Sequence, residues 1–178
     1  MADMDEVERG FEKLVERVKA AQAKREELTG ELKKKETVLL SRMIKDVAPL
    51  IPEVGLILLK KGKEDTKGEI FDTVYYKEKM LVLGKTDPAE YRPDDINKKV
   101  VNQFLVLHQD GSLYELMYSS DGVLIDSYLN PLRMEDAIQI YGYEILLNIF
   151  RFLKDYHAAE ESLVSALESV LSYLSSGV

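Results

Sequence analysis

The chain contains no cysteine and no tryptophan, and only two of its 178 residues are histidine. Without cysteine it can form no disulfide, thiol nucleophile, iron–sulfur cluster or cysteine-based zinc site. It also lacks a long apolar run, since the longest, Gly55–Leu59 behind Val54, is far too short to span a bilayer. Residues 1–10 are acidic and have no apolar stretch like that of a signal peptide. We therefore expect a cytoplasmic protein.

The remaining composition is that of an ordinary folded domain. Apolar residues make up 46% of the chain and charged residues 31%, and the length suffices to bury a self-sufficient core. We expect one domain, with or without an appendage. Asparagine and glutamine are rare, with four residues each against abundant lysine and glutamate, which resembles the composition of heat-adapted proteins.

The net charge of −8 is confined to one half of the chain. Residues 1–100 carry 21 basic and 21 acidic side chains, whereas residues 101–178 carry 3 basic and 11 acidic ones. An acidic half repels phosphate backbones, which argues against nucleic acid as a partner. The basic clusters Lys33–Lys35 and Lys60–Lys63 have acidic neighbours and no interleaved aromatics, so we interpret them as solvated faces.

The N-terminal third has the clearest periodic signal. Eleven positions follow one another at alternating steps of three and four residues, and nine of them are apolar. They are Met4, Val7, Phe11, Leu14, Val18, Ala21, Arg25, Leu28, Leu32, Lys35 and Leu39. This spacing is typical of a coiled-coil seam, in a helix that we expect to end at Ala48, before Pro49. Beyond residue 37 the apolar face widens, which indicates burial in a core.

The C-terminal segment mirrors this pattern. Apolar residues wrap around a helix over residues 138–156, and beyond His157 they narrow to a stripe. If both helices enter one core, their narrow ends project together as an antiparallel stalk with unequal arms. The longer, N-terminal arm then carries a seam that its own chain cannot cover: Met4, Val7, Phe11, Leu14, Val18, Leu28 and Leu32. Because an isolated amphipathic helix is marginal in water, we expect a second copy to cover it, most simply in a homodimer.

The middle of the chain predicts a sheet. Apolar or β-branched runs predict strands at Val54–Lys60, Ile70–Tyr76 and Lys79–Leu83. We expect a polar loop at 61–69, and a loop or a short helical turn at 84–95, which contains Pro88 and Pro93. Three later runs also predict strands: Val100–His108, Ser112–Tyr118 and Val123–Tyr128. Asp110-Gly111 joins the first two, and a turn containing Asp121-Gly122 joins the last two. Because Asp-Gly supplies the positive φ of tight hairpins, these runs predict a three-stranded antiparallel meander.

These patterns predict an α+β fold in which long, coiled-coil-like N-terminal and C-terminal helices flank a small antiparallel sheet with a three-stranded meander. We divide it into a projecting coiled-coil helix at 1–37, an α+β core domain at 38–157 and a C-terminal helical extension at 158–178. The layout of helix, β region and helix resembles prefoldin, and the order of elements also resembles roadblock or longin-type domains. These comparisons disagree and no residue motif accompanies either, so we assign no family.

Two short motifs imitate nucleotide sites. Leu83-Gly84-Lys85-Thr86 ends like a P-loop, but position 79, where that loop needs its first glycine, is lysine. Asp126 follows an apolar run as a Walker B aspartate does, but no partner loop is present, and we expect it to face water on a hairpin strand. No nucleotide or other cofactor is therefore expected.

Few residues could carry catalysis or bind a metal. His157 and Glu161, four residues apart on one helix face, are weak candidate ligands, but with no cysteine and two histidines we expect no metal site. Neither histidine accompanies a recognisable nucleophile. The candidate acid–base carboxylates fall in turns or polar loops, where aspartate bonds its own backbone, and are Glu90, Asp94, Asp95, Asp110 and Asp121. The sequence therefore predicts no catalytic residue and does not favour an enzyme.

Tyrosine is the feature that favours a binding function. Ten tyrosines are present, and tyrosine is enriched at interfaces because one end is apolar and the other can stay wet. For a ligand or partner face we select Tyr75, Tyr114, Tyr118 and Tyr128. The alternative is that they line the core edge between sheet and helix.

These observations favour a non-catalytic, oligomerising scaffold or interaction module that assembles through its long helices and presents a sheet surface to a partner. Its expected partners are a second copy of itself and another protein, and neither nucleic acid nor membrane. A second hypothesis is a protein that binds a small ligand or an unfolded chain through a tyrosine-lined face or cavity. A third, a carboxylate-metal enzyme, needs at least three acidic or histidine side chains at one point.

Overall fold

One long helix, α1, begins the fold and spans Ala2–Val47, about 69 Å at 1.5 Å per residue. The computed structural model describes the backbone of residues 2–176 and the side chains of residues 5–176. Good helix formers fill most of α1, and no proline precedes Pro49. The helix ends one residue before the predicted position, because proline cannot continue its hydrogen bonding.

Two short helical turns follow α1. A 3-10 turn spans Ala48–Leu50 and helix α2 spans Ile51–Val54. Each begins with a proline in its first turn, where the missing N–H group is not needed. The predicted strand at Val54–Lys60 is therefore wrong for most of its length. Within that segment, Leu56 forms only an isolated bridge to Met80.

The described residues form a seven-stranded sheet in which every pair is antiparallel. The strands are β1 (Leu59–Glu64), β2 (Ile70–Tyr75), β3 (Met80–Thr86), β4 (Tyr91–Arg92), β5 (Asp95–His108), β6 (Leu113–Ser120) and β7 (Leu124–Leu132). Their order is β2-β1-β7-β6-β5-β3, with β4 beside β5. Because the bridge between Leu56, just before β1, and Met80 of β3 joins the two sides, the sheet curls back on itself.

Two segments predicted as loops contain strands. β1 occupies the first part of 61–69, while the end of β3 and all of β4 lie within 84–95. Lys61 and Lys63 pair with β7 on one side and β2 on the other. A strand is defined by backbone pairing, so a polar run can form one where its side chains reach solvent. The polarity of these runs was therefore misleading.

The register of β6 and β7 sorts side chains onto two faces. Leu113 lies opposite Leu132 and packs in the larger core cluster, beneath the helices. Leu116 lies opposite Leu129 and packs in a second cluster inside the curl. Because alternate residues point to opposite faces, each position of β6 is assigned to the helix side or to the inside.

The C-terminal region consists of two helices, α3 (Met134–Tyr141) and α4 (Glu144–Ser176). The predicted single helix over 138–156 is wrong, because the chain turns at Gly142. Its φ is 70°, a conformation that residues with a Cβ avoid, and its N–H donates to the carbonyl of Ile138.

The larger core cluster lies between the helices and the sheet. Its helical members include Leu40, Ile44 and Val47 of α1 and Ile145 and Ile149 of α4, each no more than 3% exposed. The sheet supplies further buried residues, which include Leu83, Leu105, Leu107 and Leu113. The wide apolar face predicted beyond residue 37 is thus buried in part: Leu40, Ile44 and Val47 lie in the core, whereas Val38 and Leu39 are 61% and 39% exposed.

Candidate functional site

The apolar stripe along α1 is exposed. We call it the α1 seam and define it as Val7, Phe11, Leu14, Val18, Leu28 and Leu32. Each of these residues is between 51% and 73% exposed. Met4, which the sequence also assigns to the seam, lies outside the described side chains. The α1 seam therefore has no packing partner within the described part of its own chain.

A second exposed stripe runs along α4. We call it the α4 stripe, and it consists of Leu163, Val164, Leu167, Val170, Leu171 and Leu174, each between 51% and 62% exposed. Between the members of the stripe lie serines, Ala166, Glu168 and Tyr173, which is 79% exposed. None of the described helices is both long enough and apolar enough to cross a membrane.

The two stripes do not cover each other. Among the described side chains, all of residues 5–34 are exposed except half-buried Val15, and all of residues 157–176 are exposed. The predicted antiparallel stalk within one chain is therefore wrong. The helices share the core, through Leu40 and Ile149, where both apolar faces are broad. Beyond the core they form no packed interface.

Charge is distributed unevenly along α1. Residues 5–16 carry five acidic and two basic side chains, whereas residues 17–35 carry seven basic and three acidic ones. The exposed end of α4, residues 157–176, carries three acidic side chains and no lysine or arginine. The arm formed by α1 therefore has an acidic outer part and a basic inner part.

The four selected tyrosines do not share one surface. Tyr114 and Tyr118 pack against the cluster inside the curled sheet. Tyr128 lies on the other face of the sheet, where Met117 of β6 is its cross-strand neighbour. The Arg92 guanidinium lies 5.6 Å from the centroid of its ring. Tyr75, on strand β2, is 51% exposed. Tyr114 and Tyr118 therefore share a face on which Tyr128 does not lie.

Tyr118 is fixed by hydrogen bonding and burial. Its hydroxyl donates to the carbonyl of Leu59 at 2.8 Å, and its ring meets Phe104 edge to face. Burial, with a smaller contribution from Tyr76, raises the pKa of Tyr118 to about 12. This hydroxyl ties β6 to β1 and is not free to meet a ligand.

The histidines lie beside carboxylates in pairs or chains. His157 Nε2 is 3.7 Å from Glu161 Oε1, and both side chains are 70% exposed. His108 Nε2 is 2.6 Å from Glu78 Oε2, and its Nδ1 is 3.2 Å from Asp110 Oδ1. Within the described part of the chain, no three His, Cys, Asp or Glu side chains converge as metal ligands would. The carboxylate-metal hypothesis therefore has no ligand set among the described residues.

Several turn aspartates bond their own backbone, as predicted. Asp110 Oδ1 accepts from the N–H of Ser112 at 2.8 Å, and Asp121 Oδ1 accepts from the N–H groups of Val123 and Leu124. These backbone donors lower the pKa of both carboxyls. Their geometry is that of turn stabilisation rather than of proton transfer.

One carboxylate, Glu115, is buried on the helix side of the sheet. It is 5% exposed and accepts hydrogen bonds from Gln103 Nε2 at 2.8 Å, Asn130 Nδ2 at 3.0 Å and the Tyr141 hydroxyl at 3.2 Å. Burial, and after it the negative charge of Glu115, raises the pKa of Tyr141. Because three donors satisfy it inside the protein, Glu115 is part of the packing and is closed to a substrate.

A cluster of charges surrounds Asp126, which the sequence predicted to face water. Its carboxylate is only 20% exposed. It accepts from Arg92 Nη1 at 2.9 Å and from Lys98 Nζ at 2.5 Å, and Lys61 Nζ lies 3.8 Å away. Arg92 is itself 4% exposed and also forms a two-pronged pair with Asp94. The prediction was wrong because strand β4 brings Arg92 over this part of the sheet.

The charges in this cluster stabilise one another. Burial alone would raise the pKa of Asp126, but hydrogen bonds from Lys98 and Arg92 outweigh it and hold that pKa below its ordinary value. Hydrogen bonding to Asp94 raises the pKa of Arg92, so the guanidinium stays charged. The cluster is therefore a permanent patch of charge at ordinary pH.

Comparisons with known proteins add no assignment. No protein family, curated protein or solved structure matches this chain. The Gly84-Lys85-Thr86 motif lies in strand β3, paired with β5, and so forms no phosphate loop. The features of the chain that bear on function are therefore the exposed stripes and the charge cluster.

Sequence reasoning missed Arg92, Lys98 and Lys61 as members of the charge cluster around Asp126. They come from three separate segments that only the sheet topology brings together. The available signal was weak: a basic run at Lys60–Lys63 and an aspartate at the end of an apolar strand. Neither pattern indicates its partner across the sheet.

Proposed function

We propose that this chain is a non-catalytic assembly module that self-associates through α1 as a coiled-coil homodimer. The observation that carries the proposal is the α1 seam, six large apolar residues at heptad spacing that are all at least half exposed. A contiguous apolar stripe rimmed by charges is typical of an interaction surface. Tertiary packing provides most helical stability in proteins, and this arm has none in a single chain.

The spacing of the seam fits an antiparallel pairing with a second copy. From Val7 to Leu32 the steps of three and four residues read the same in both directions. Val7 then lies opposite Leu32 of the second copy, and Phe11 lies opposite Leu28. Apolar residues at both ends of one arm thus face apolar residues of the other arm. The overlap of the thirty residues 5–34 is about 45 Å long.

Charge also favours the antiparallel arrangement. It places the acidic outer part of each arm, residues 5–16, beside the basic inner part of the other, residues 17–35. A parallel arrangement would place like charges together along the whole length. Arg17 of one copy and Lys24 of the other face each other beside the seam in the antiparallel form, and these like charges repel. The net preference for this form therefore comes from the acidic block at 5–16 and the basic block at 17–35.

We further propose that β2 is the sheet surface offered to a second protein. β2 is an edge strand of the sheet, and all six of its residues are exposed. Ile70, Phe71, Val74 and Tyr75 are each between 46% and 51% exposed. An open, apolar strand edge accepts an extended segment by strand addition. In this proposal β5, β6 and β7 act as the three-stranded meander that supports the edge.

The proposal assigns a role to each part of the chain in a cytoplasmic assembly. Residues 1–37 form the projecting coiled-coil helix, residues 38–157 the α+β core domain, and residues 158–178 the C-terminal extension. The α4 stripe gives this extension a second apolar face, whose acidic flanks suit the basic inner part of an α1 arm.

Analytical ultracentrifugation of the full chain and of a chain lacking residues 1–30 tests self-association. We expect a dimer at micromolar concentration for the full chain and a folded monomer for the shortened one, because the buried core begins at Leu40. Circular dichroism of both chains checks the fold. A full chain that stays monomeric with α1 fully helical would contradict the proposal.

Disulfide trapping tests the orientation, and the absence of native cysteine makes single-cysteine variants unambiguous. Mixing Val7→Cys and Leu32→Cys chains under oxidation is expected to give the mixed disulfide. Leu32→Cys alone should stay reduced, because its two copies are about 38 Å apart in the antiparallel form. Efficient self-crosslinking of Leu32→Cys alone would indicate a parallel dimer.

A further inference from the structure

A cleft opens on the helix side of the sheet, at the end that the helices do not cover. Its volume is about 580 Å³, within the range of small-molecule sites. Strands β1 and β2, the start of β5, the end of β6 and the start of β7 form its walls. The lining includes Lys61, Lys98, Ser119 and Asp126.

Positive charge exceeds negative charge around this cleft. Arg92, Lys98 and Lys61 all approach the single carboxylate of Asp126, and Asp94 neutralises one of them. Three cations therefore meet two anions, and Lys99 in the lining is offset by Asp121. The Lys63–Asp72 pair on the opposite rim, 2.7 Å apart, is balanced. Lys98 and Lys61 are 41% and 61% exposed, so their ammonium groups can reach a bound molecule.

A buried hydroxyl without a partner lies in the same lining. Ser119 is 6% exposed, and its Oγ is one of two buried side-chain polar atoms with no hydrogen bond among the described residues. Ser119 lies directly opposite Asp126 in the β6–β7 register, so both side chains are on the cleft face. A buried hydroxyl left unpaired is costly, and nearly all such groups in proteins are satisfied.

Apolar side chains complete the lining. Val74 and Leu124 are each 51% exposed and border the cleft together with Ile125. A ligand that matched only the lysines would leave this apolar surface in water. The geometry therefore suits a molecule with a charged head and an apolar body.

We propose that this cleft binds a small organic anion, a carboxylate or phosphate attached to an apolar body. The ammonium groups of Lys61 and Lys98 neutralise the anion, and the Ser119 hydroxyl donates a hydrogen bond to it. Val74 and Leu124 contact the apolar body. This site is independent of self-association, because none of its residues lies in α1.

Four probes with one six-carbon body and different heads test the proposal by NMR titration of the full-length ¹⁵N-labelled protein. They are heptanoate, hexyl phosphate, hexanol and hexylammonium. We expect the two anions to shift the amide signals of Ser119 and Asp126 saturably, and the other two to leave those signals unchanged. The tighter of the two anions identifies whether the head is carboxylate or phosphate.

Variants assign the binding to the cleft. Lys98→Met is expected to lower the affinity for the tighter-binding anion about tenfold, which is the effect of losing one charge-assisted hydrogen bond. Ser119→Ala should weaken it by a smaller factor. Lys33→Met, on α1, removes the same charge elsewhere and should leave the affinity unchanged. Lys61→Met provides a second cleft variant, and the spectrum of each variant reports its fold.

Three results would overturn the proposal. The first is the absence of saturable shifts at Ser119 with both anions, and the second is equal shifts with all four probes. The third is an equal loss of affinity in Lys33→Met and Lys98→Met, which would show that binding follows net charge alone. Because the readout is a local shift, none of these results depends on whether the protein is a dimer.

Discussion

Replacing Leu14 by glutamine is expected to weaken self-association while leaving the single chain intact. Leu14 is 59% exposed, and burying a whole leucine side chain contributes about 2.5 kcal/mol, so about 1.5 kcal/mol remains available per copy. A dimer contains two copies, so the loss is about 3 kcal/mol, or roughly 100-fold in Kd. Leucine and glutamine have similar helix propensities, so α1 itself should change little.

The assay is sedimentation equilibrium over a range of protein concentrations. Ala23→Gln is the matched control, since nine residues at about 100° each place Ala23 on the opposite side of α1 from Leu14. It should leave the Kd within about threefold of the unmodified chain, as surface substitutions usually do. If Leu14→Gln and Ala23→Gln change the Kd equally, the α1 seam is not the interface and the reasoning fails.

Three further substitutions test the fold. Leu40→Ala should lower the free energy of unfolding by about 2–5 kcal/mol in urea titrations, because Leu40 is 0% exposed, and a loss under about 1 kcal/mol would contradict its core position. Gly55→Ala should lower the free energy of unfolding by about 1–3 kcal/mol, since a Cβ there would lie 2.7 Å from the carbonyl oxygen of Ile51. Gly10→Ala is the control that should not destabilise the protein, because the space around Gly10 is open. Asp126 has a lowered pKa, so its stabilisation is present above the ordinary aspartate pKa and is lost as pH falls through the folded value. Unfolding free energies of Asp126→Asn should therefore decline less below about pH 4 than those of the unmodified chain, and identical pH profiles would count against the charge cluster.

Local chemistry made some of the fold predictable. The absence of proline before Pro49 placed the end of α1 within one residue. The Asp-Gly pairs marked the sharp turns, where Gly111 and Gly122 have φ of 85° and 93°. Each of these signals depends on residues that are neighbours in sequence, which is why sequence reasoning could find them.

Long-range pairing was the part that sequence could not supply. The run at Lys60–Lys63 is polar and predicted a loop, but β7 and β2 flank it and make it a central strand. Asp126 faces the cluster rather than water because Arg92, 34 residues earlier, folds over it. The break at Gly142 was missed because the apolar pattern continues on both sides of it, although its positive φ explains it once seen.

The candidate site was predictable only in part. The heptad spacing identified the α1 seam, since an exposed stripe has the same sequence pattern whether or not a partner covers it. The cleft depends on side chains from five strands, and an unpaired hydroxyl such as that of Ser119 has no signature in a sequence. Tyr128 and Tyr118 were grouped by residue type, yet strand alternation puts them on opposite faces.

The length of the α1 arm has a consequence for avidity. In the proposed antiparallel dimer, the thirty overlapping residues keep the two core domains about 45 Å apart. Each core carries one β2 edge and one cleft, so the pair forms a bivalent particle with a fixed spacing. A target that repeats its binding segment at that interval would experience a high effective concentration at the second site, whereas a target with a single segment would not. The length of α1 would then select targets by the distance between their binding segments.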